Sequence, residues 1–254
     1  MEKKNTLLLT VIAVATLLVA VVGATFAYFG SFSVNNQSRA NVNVKTDEAI
    51  GSSLISTGAD ISIHVTGQQM TYDPTKTETD KVDVSGATDN GTLTVTLDAN
   101  SAATITTCTY DIVFQYDSGA TVYGPGGKGP TKYGADNANS LDGKEFTYQY
   151  AVVAPTGPAT PADDEKITMV KDENTEHSFS DFSGATSLEN AVKVGSGKIS
   201  TSQGATTDTK YVQQVKFTVK FYNFPSIAQD AVANGNYKGA FFIKNEACSS
   251  VPRS

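Results

Sequence analysis

The sequence VKFTVKFY, residues 215 to 222, sets the expected fold class of this chain. Its apolar residues Val215, Phe217, Val219 and Phe221 stand at alternate positions, so along a strand they face one way while the intervening residues face the other. After residue 30, no long stretch places apolar residues at helical spacing. The period of two recurs in four other stretches: residues 61–65, 93–97, 110–116 and 146–150. We therefore predict an all-β body of antiparallel strands that each bury one face.

Turn and loop signals separate these strands. The pair Asn90-Gly91 predicts a tight turn ahead of the strand at 93–97, and Gly195-Ser196-Gly197 is interpreted as another turn. Residues 211–222 and 237–244 are expected to form a final hairpin across 234–236. Two stretches rich in Gly, Pro and Asp predict long surface loops: residues 119–139 and 154–164. This organisation favours one β-sandwich domain, residues 47–254, with long loops.

The N-terminus has the composition of an export signal. Lys3 and Lys4 precede an apolar run at residues 7–24, and small residues at Thr25 and Ala27 suit cleavage by a signal peptidase. We predict a hydrophobic signal helix over residues 1–28, removed after Ala27 or Tyr28. The alternative is an uncleaved membrane anchor, because roughly 18 apolar residues are the lower limit for a spanning helix. In both cases the body lies outside the cytoplasm, and contact with the membrane ends if the signal is cleaved.

The charge of the chain argues against binding to nucleic acid. Its formal net charge is −7, and its lysines and arginines are not clustered along the sequence. Phosphate backbones are bound through such clusters, so a nucleic-acid partner is not expected. The acidic balance instead favours solubility outside the cell.

The sequence lacks the residue patterns of common catalytic and metal sites. His64 and His177 are its two histidines, and neither belongs to an HExxH zinc motif. The acidic clusters at 163–165 and 172–173 lack the spacing of a calcium loop, and the glycine-rich stretch at 124–129 lacks the Ser or Thr of a phosphate loop. No GxSxG nucleophile motif occurs either. We expect no enzymatic activity, no cofactor and no metal.

Cys108 and Cys248 leave two alternatives open. Cys108 shares the parity of the core-facing residues of its strand, and Cys248 follows the last predicted strand. In an oxidising compartment the two could pair and tie the C-terminal tail to the sheet. Otherwise, Cys108 is a buried free thiol and Cys248 lies in the tail.

The stretch Gly23-Ala24-Thr25-Phe26-Ala27-Tyr28-Phe29 resembles the signal-peptide ends of the TasA and camelysin family, which is exported with a SipW-type signal peptidase. Residues 107–111, 216–219 and 238–241 are similar in pattern to other proteins that carry this signal type. The resemblance implies a jelly-roll-like sandwich that forms fibres in a biofilm matrix, each subunit lending its N-terminal strand to a neighbour. Because camelysin-like members have been described as metalloproteases, the resemblance also implies metalloprotease activity. The two isolated histidines argue against that activity in this chain.

Residues 29–46 have the pattern of a strand that could be lent in this way. The segment has few charges and carries apolar side chains mainly at alternate positions, so it can complete another sheet through main-chain hydrogen bonds. The alternative is that it forms the first strand of its own sandwich. The residues predicted to drive self-assembly are Phe29, Phe32, Val34, Val42 and Val44.

Two functions follow from these features. The first is an extracellular structural protein, a self-assembling fibre or matrix subunit of a Gram-positive cell surface, with copies of itself as partner. The second is a surface adhesin or ligand-binding module that uses the loops clustered at the ends of the sandwich.

Overall fold

The computed structural model describes residues 42–45, 53–99, 104–156, 165–201 and 209–252. Within these ranges the protein is all-β, with short 3-10 turns and no α-helix, which confirms the predicted fold class. No helix in the described part is long and apolar enough to cross a membrane. The predicted signal helix at residues 1–28 lies outside the described residues.

The described strands form two large sheets and one small hairpin. In chain order they are β1 (Val42–Lys45), β2 (Ser53–Thr57), β3 (Ala59–Val65), β4 (Val82–Ala99), β5 (Thr104–Tyr116), β6 (Lys132–Tyr133), β7 (Asn139–Ser140), β8 (Phe146–Thr156), β9 (Ile167–Met169), β10 (His177–Ser178), β11 (Val192–Ser200), β12 (Thr209–Asn223) and β13 (Gly235–Pro252). The six-stranded sheet has the order β1-β2-β4-β12-β8-β10, and the five-stranded sheet has the order β3-β13-β5-β11-β9. Neighbouring strands in both sheets are antiparallel, and β6 pairs only with β7.

The stretch at 215–222 forms the centre of the six-stranded sheet. Val215, Phe217, Val219 and Phe221 are all buried, as their alternation predicts. The ring of Phe217 stacks on that of Phe241 from β13, with ring centroids 3.8 Å apart and planes within 5° of parallel. The two sheets therefore share one apolar core between their inner faces.

The predicted final hairpin is wrong. β12 pairs with β4 and β8, whereas β13 pairs with β3 and β5, so these consecutive strands belong to different sheets. Residues 224–234 carry the chain from one sheet to the other. The physical reason is that alternating apolar residues suit paired neighbours in one sheet and facing strands in two sheets equally well, and here Phe217 and Phe241 bury their rings against each other from opposite sheets.

Two predicted turns are also wrong, because the glycines in them serve close packing. Asn90-Gly91 lies inside β4, where a Cβ on Gly91 would come within 2.7 Å of the Cβ of Ala59. Gly195-Ser196-Gly197 lies inside β11, and Gly197 leaves room for the ring of Tyr110 on the neighbouring strand. Glycine inside a strand marks such a close approach as readily as it marks a turn.

Candidate functional site

The outermost strand of the six-stranded sheet contains two of the residues predicted to drive self-assembly. The β1 backbone pairs with β2, with Val42 opposite Ser56 and Val44 opposite Leu54. Within the described residues, β2 is the one sheet neighbour of β1. The remaining predicted assembly residues lie outside the described residues: Phe29, Phe32 and Val34.

A disulfide joins Cys108 of β5 to Cys248 of β13. The two cysteines lie directly opposite each other in the register of the five-stranded sheet. β13 pairs with β3 up to Phe241. Past an irregularity between Lys244 and Ala247, the end of β13 pairs with β5. The disulfide therefore holds the C-terminal part of β13 at a place where β5 is its one strand neighbour among the described residues.

The two histidines lie in different surroundings. His64 lies on the exposed face of β3. The Nε2 of His177 is 2.8 Å from the carbonyl oxygen of Asp172 and 3.1 Å from the hydroxyl of Thr175, and its ring stacks on that of Tyr150. Among the described residues, no group of three or more His, Cys, Asp or Glu side chains is placed to hold a metal ion.

The acidic and glycine-rich stretches have structural contacts where they are described. Glu173 accepts a hydrogen bond from the backbone N–H of Val152, 3.0 Å away, on the edge of β8. In the glycine-rich stretch, Lys128 donates to the carbonyl of Ala233, and a Cβ on Gly129 would meet the Tyr123 ring. This stretch is packed against its neighbours. Of the first acidic cluster, Glu165 is buried, and Asp163 and Asp164 lie outside the described residues.

Three loops meet at one end of the sandwich. They are residues 66–81 between β3 and β4, residues 117–145 between β5 and β8, and residues 224–234 between β12 and β13. The first and third loops are joined directly: the N–H of Asp73 donates to the carbonyl of Pro225 at 2.6 Å, and the hydroxyl of Ser226 donates to the carbonyl of Thr77 at 3.0 Å.

The buried carboxyl group of Glu145 joins the second and third loops. Its Oε1 accepts hydrogen bonds from the hydroxyl of Tyr123 at 3.0 Å and the backbone N–H of Thr131 at 2.6 Å. Its Oε2 accepts from Nε2 of Gln229 at 2.8 Å. Glu145 is completely buried, and burial, together with the nearby carboxyl group, raises the pKa of Tyr123 above its ordinary value. The phenol therefore remains a hydrogen-bond donor through the ordinary pH range.

A surface groove of about 370 Å³ lies where the three loops meet. Tyr72 stands at its side with 63% of its surface exposed, and Ile227 forms a buried part of its floor. Its wall includes Tyr133, which packs against a small apolar cluster beneath the loops. The remaining lining residues are Glu78, Lys132, Gly134, Ser226 and Ala228.

No family model, curated protein sequence or solved structure matches this chain. The chemistry of the groove therefore has to be inferred from its own lining. That lining contains two phenols, one carboxylate and one ammonium group, and it includes no histidine or cysteine. These phenol, carboxylate and ammonium groups can exchange hydrogen bonds with a bound molecule.

A second cluster near these loops joins Glu176 to Lys81 and Tyr222. Lys81 Nζ lies 2.6 Å from Oε2 of Glu176 and 3.7 Å from the centre of the Tyr222 ring, and the Tyr222 hydroxyl donates to Oε1. Burial alone would raise the pKa of Glu176. The hydrogen bonds from Lys81 and Tyr222, with the charges of Lys81 and Lys220, outweigh it and lower that pKa.

A lowered pKa makes this cluster sensitive to acid. Because Glu176 binds a proton less readily in the folded protein, its contribution to stability is complete above its unfolded pKa of about 4.3 and is lost as pH falls through the lower folded value. We expect Glu176→Gln to cost up to about 1 kcal/mol near neutral pH, since the pair is partly exposed, and less in acid. Urea unfolding of both proteins between about pH 6 and pH 2.5 measures this change. Glu189→Gln, at an exposed position, is the control, and a cost for Glu176→Gln that does not vary with pH would contradict the assignment.

Neither Glu145 nor the groove is predicted by the sequence. Glu145 precedes the strand at 146–150 as an ordinary charged residue, and Tyr72 and Tyr133 stand alone in polar stretches. The groove combines residues from loops separated by long stretches of sequence, so no local pattern could have revealed it. The clustering of long loops at one end of a sandwich was the one available signal.

Proposed function

We propose that this protein is an exported, non-catalytic structural subunit of a Gram-positive cell surface, which assembles with copies of itself by exchanging its N-terminal strand. The observation that carries the proposal is the place of β1. It is a four-residue strand at the edge of the six-stranded sheet, and its one described sheet neighbour is β2. A short edge strand can pair with the same neighbour in another molecule at little cost in contacts.

The disulfide supports the extracellular location. Bonds of this kind persist in oxidising surroundings and are rare where thiols are kept reduced. Cys108 and Cys248 are the only cysteines of the chain, and both are used in the bond. An export signal at residues 1–28, like that of the TasA and camelysin family, would deliver the chain to such a compartment.

The order of the strands supports a jelly-roll topology for the sandwich. In a jelly roll of eight strands, the first, eighth, third and sixth strands form one sheet, and the second, seventh, fourth and fifth form the other. When β3, β4, β5, β8, β10, β11, β12 and β13 are taken as the eight, the two observed orders β3-β13-β5-β11 and β4-β12-β8-β10 agree with this rule. In this assignment, β1 and β2 are additions beside the edge that β4 would otherwise form.

Exchange of β1 would link subunits in one direction. A strand that leaves its own sheet and pairs with β2 of the next molecule makes a head-to-tail contact, and repetition of that contact gives a chain of subunits. The exchanged contact would use the same register, with Asn43 opposite Ile55.

Strand exchange can be tested with two single cysteine variants of the mature protein. One carries Asn43→Cys and the other carries Ile55→Cys, at positions that are paired in the register. After the two are mixed under assembling conditions and oxidised, we expect a disulfide-linked heterodimer on a non-reducing gel. This bond requires β1 of one molecule to lie beside β2 of another.

Each single variant alone and a mismatched pair, Asn43→Cys with Thr57→Cys, serve as controls for random cross-linking. A double variant with both cysteines in one chain reports the internal pairing. If the double variant closes internally while the mixture gives no heterodimer, β1 belongs to its own subunit and assembly by exchange is wrong.

The groove at the loop end favours a second candidate function, that of a ligand-binding module on the cell surface. The groove is open to solvent, is lined from three loops and has an exposed aromatic side chain at its side. Binding sites are often placed on loops that a rigid scaffold holds in position. This function does not require self-assembly, so filament formation and ligand binding are separate tests.

A further inference from the structure

The groove at the loop end has walls that are already held in the shape seen in the structure. Tyr72 and Glu78 lie on the loop at 66–81, in which Asp73 accepts hydrogen bonds from the backbone N–H of Thr75 at 3.0 Å and from its hydroxyl. Asp80 accepts from the backbone N–H of Thr77 at 2.7 Å. The hydrogen bonds from Thr75 and Thr77 lower the pKa of Asp73 and Asp80 respectively.

The other two walls are held by the small β6–β7 hairpin and by a hydrogen bond between two loops. Lys132 and Tyr133 form strand β6, whose pairing with β7 places Tyr133 opposite Asn139. Ser226 is held by its hydrogen bond to the carbonyl of Thr77. A site that is formed before its ligand arrives loses less conformational entropy on binding, which favours affinity.

We propose that this groove binds a short segment of a neutral saccharide. One face of a sugar ring is a patch of C–H groups, which can pack on the phenol ring of Tyr72 or Tyr133. The ring edge carries hydroxyls, which can exchange hydrogen bonds with Glu78, Lys132 and Ser226. Tyrosine suits both demands, since it has an apolar ring and a polar tip. The volume of about 370 Å³ lies near the lower end of the roughly 300 to 1,000 Å³ typical of small-molecule sites, so it suits a few sugar units and not a whole polymer chain.

The charges of the lining favour a neutral ligand over an anionic one. Glu78 and Lys132 carry opposite formal charges, so the groove has no net charge to attract a polyanion. The protein as a whole has a formal net charge of −7, which repels polyanions further. A peptide that added a strand would need an extended open sheet edge, whereas the strand that lines the groove, β6, is two residues long and the other lining residues lie on loops.

This inference rests on the ligand-binding alternative and not on assembly by exchange, and its test keeps the two apart. The mature protein is titrated with maltohexaose, cellohexaose and mannohexaose, and binding is followed by isothermal titration calorimetry. We expect saturable binding of at least one of the three. Tyr72→Ala should weaken that binding about tenfold or more, because it removes the most exposed aromatic surface of the groove. Tyr133→Ala is the second variant, and both should leave filament formation unchanged.

Two matched controls use residues outside the groove. Leu188→Ala removes an exposed apolar side chain of similar exposure, 56%, and Lys144→Ala removes an exposed lysine from the end of the 117–145 loop. Both should bind as the parent protein does. Failure of all three saccharides to bind, or binding that neither tyrosine variant changes, would overturn the proposal. Tyr72-dependent binding of polygalacturonate or of a peptide in their place would overturn the neutral-saccharide assignment while keeping a ligand site in the groove.

Discussion

Reduction of the disulfide between Cys108 and Cys248 is expected to lower the free energy of unfolding by about 5 kcal/mol. The bond joins residues separated by 140 positions, and closing so long a loop removes much conformational entropy from the unfolded chain. The loop-entropy relation gives about 5 kcal/mol for this separation, against a total stability of about 5 to 15 kcal/mol for a typical domain. The reduced protein should therefore be close to its unfolding threshold.

Urea unfolding of the mature protein with and without reductant measures this effect. A Cys108→Ala, Cys248→Ala double variant is the control, because reductant should leave its unfolding midpoint unchanged. The end of β13 should open first, since past Lys244 it pairs with β5 alone within the part of the chain that the structure describes. Amide hydrogen exchange of residues 247–251 should then rise on reduction more than that of Phe241, which lies between β3 and β5. An unchanged urea midpoint would show that the unfolded chain is compact enough to make the bond energetically neutral.

The alternation of apolar residues was sufficient to predict parts of β3, β4, β5, β8 and β12, together with their inner faces. Ile61, Ile63, Phe217 and Val219 are buried as predicted, because a strand has two faces and a sandwich buries one of them. Alternation does not tell which sheet a strand joins. β12 and β13 are consecutive and both amphipathic, so a hairpin and a pair of facing strands have the same sequence pattern. In the structure the two strands face each other, with the ring centroids of Phe217 and Phe241 3.8 Å apart.

The glycine signals failed for a related reason. Gly91 and Gly197 were interpreted from the backbone freedom of glycine, whereas the structure uses their lack of a side chain. Gly91 lets Ala59 approach β4, and Gly197 leaves space for the Tyr110 ring. A neighbour distant in sequence determines whether a glycine is needed for its backbone freedom or for its lack of a side chain. The sequence around the glycine therefore does not distinguish the two.

The candidate site was predictable only as a location. Sandwich loops cluster at the ends, so the predicted loop at residues 119–139 was expected to lie at one end of the fold. The sequence did not predict that the loop would be held by the buried carboxyl of Glu145, or that Tyr72 and Tyr133 would line one groove. Both depend on loops far apart in the chain, whose relative placement follows from the sheet topology.

Replacement of Glu145 by alanine is expected to lower the free energy of unfolding by roughly 3 to 6 kcal/mol, since each buried donor left without an acceptor costs roughly 1 to 3 kcal/mol. Three donors would lose the Glu145 carboxyl as their acceptor: the Tyr123 hydroxyl, the Thr131 N–H and the Gln229 amide. The Gln229 amide has a further acceptor in the Tyr222 carbonyl at 3.1 Å, which places the expected cost below the full sum. The loss should loosen the loops at 117–145 and 224–234 together.

A comparison with Tyr123→Phe separates the loss of an acceptor from the loss of a donor. The phenylalanine variant removes one donor and leaves Glu145 with two others, so it should cost only about 0.5 to 1.5 kcal/mol. Urea unfolding of both single variants and of the double variant gives their coupling energy. Because the alanine variant leaves the Tyr123 hydroxyl unsatisfied, adding Tyr123→Phe to it should recover part of the stability. Equal losses for the two single variants, without recovery in the double variant, would mean that water replaces the carboxyl group. Glu145 would then fill space between the loops without holding them together.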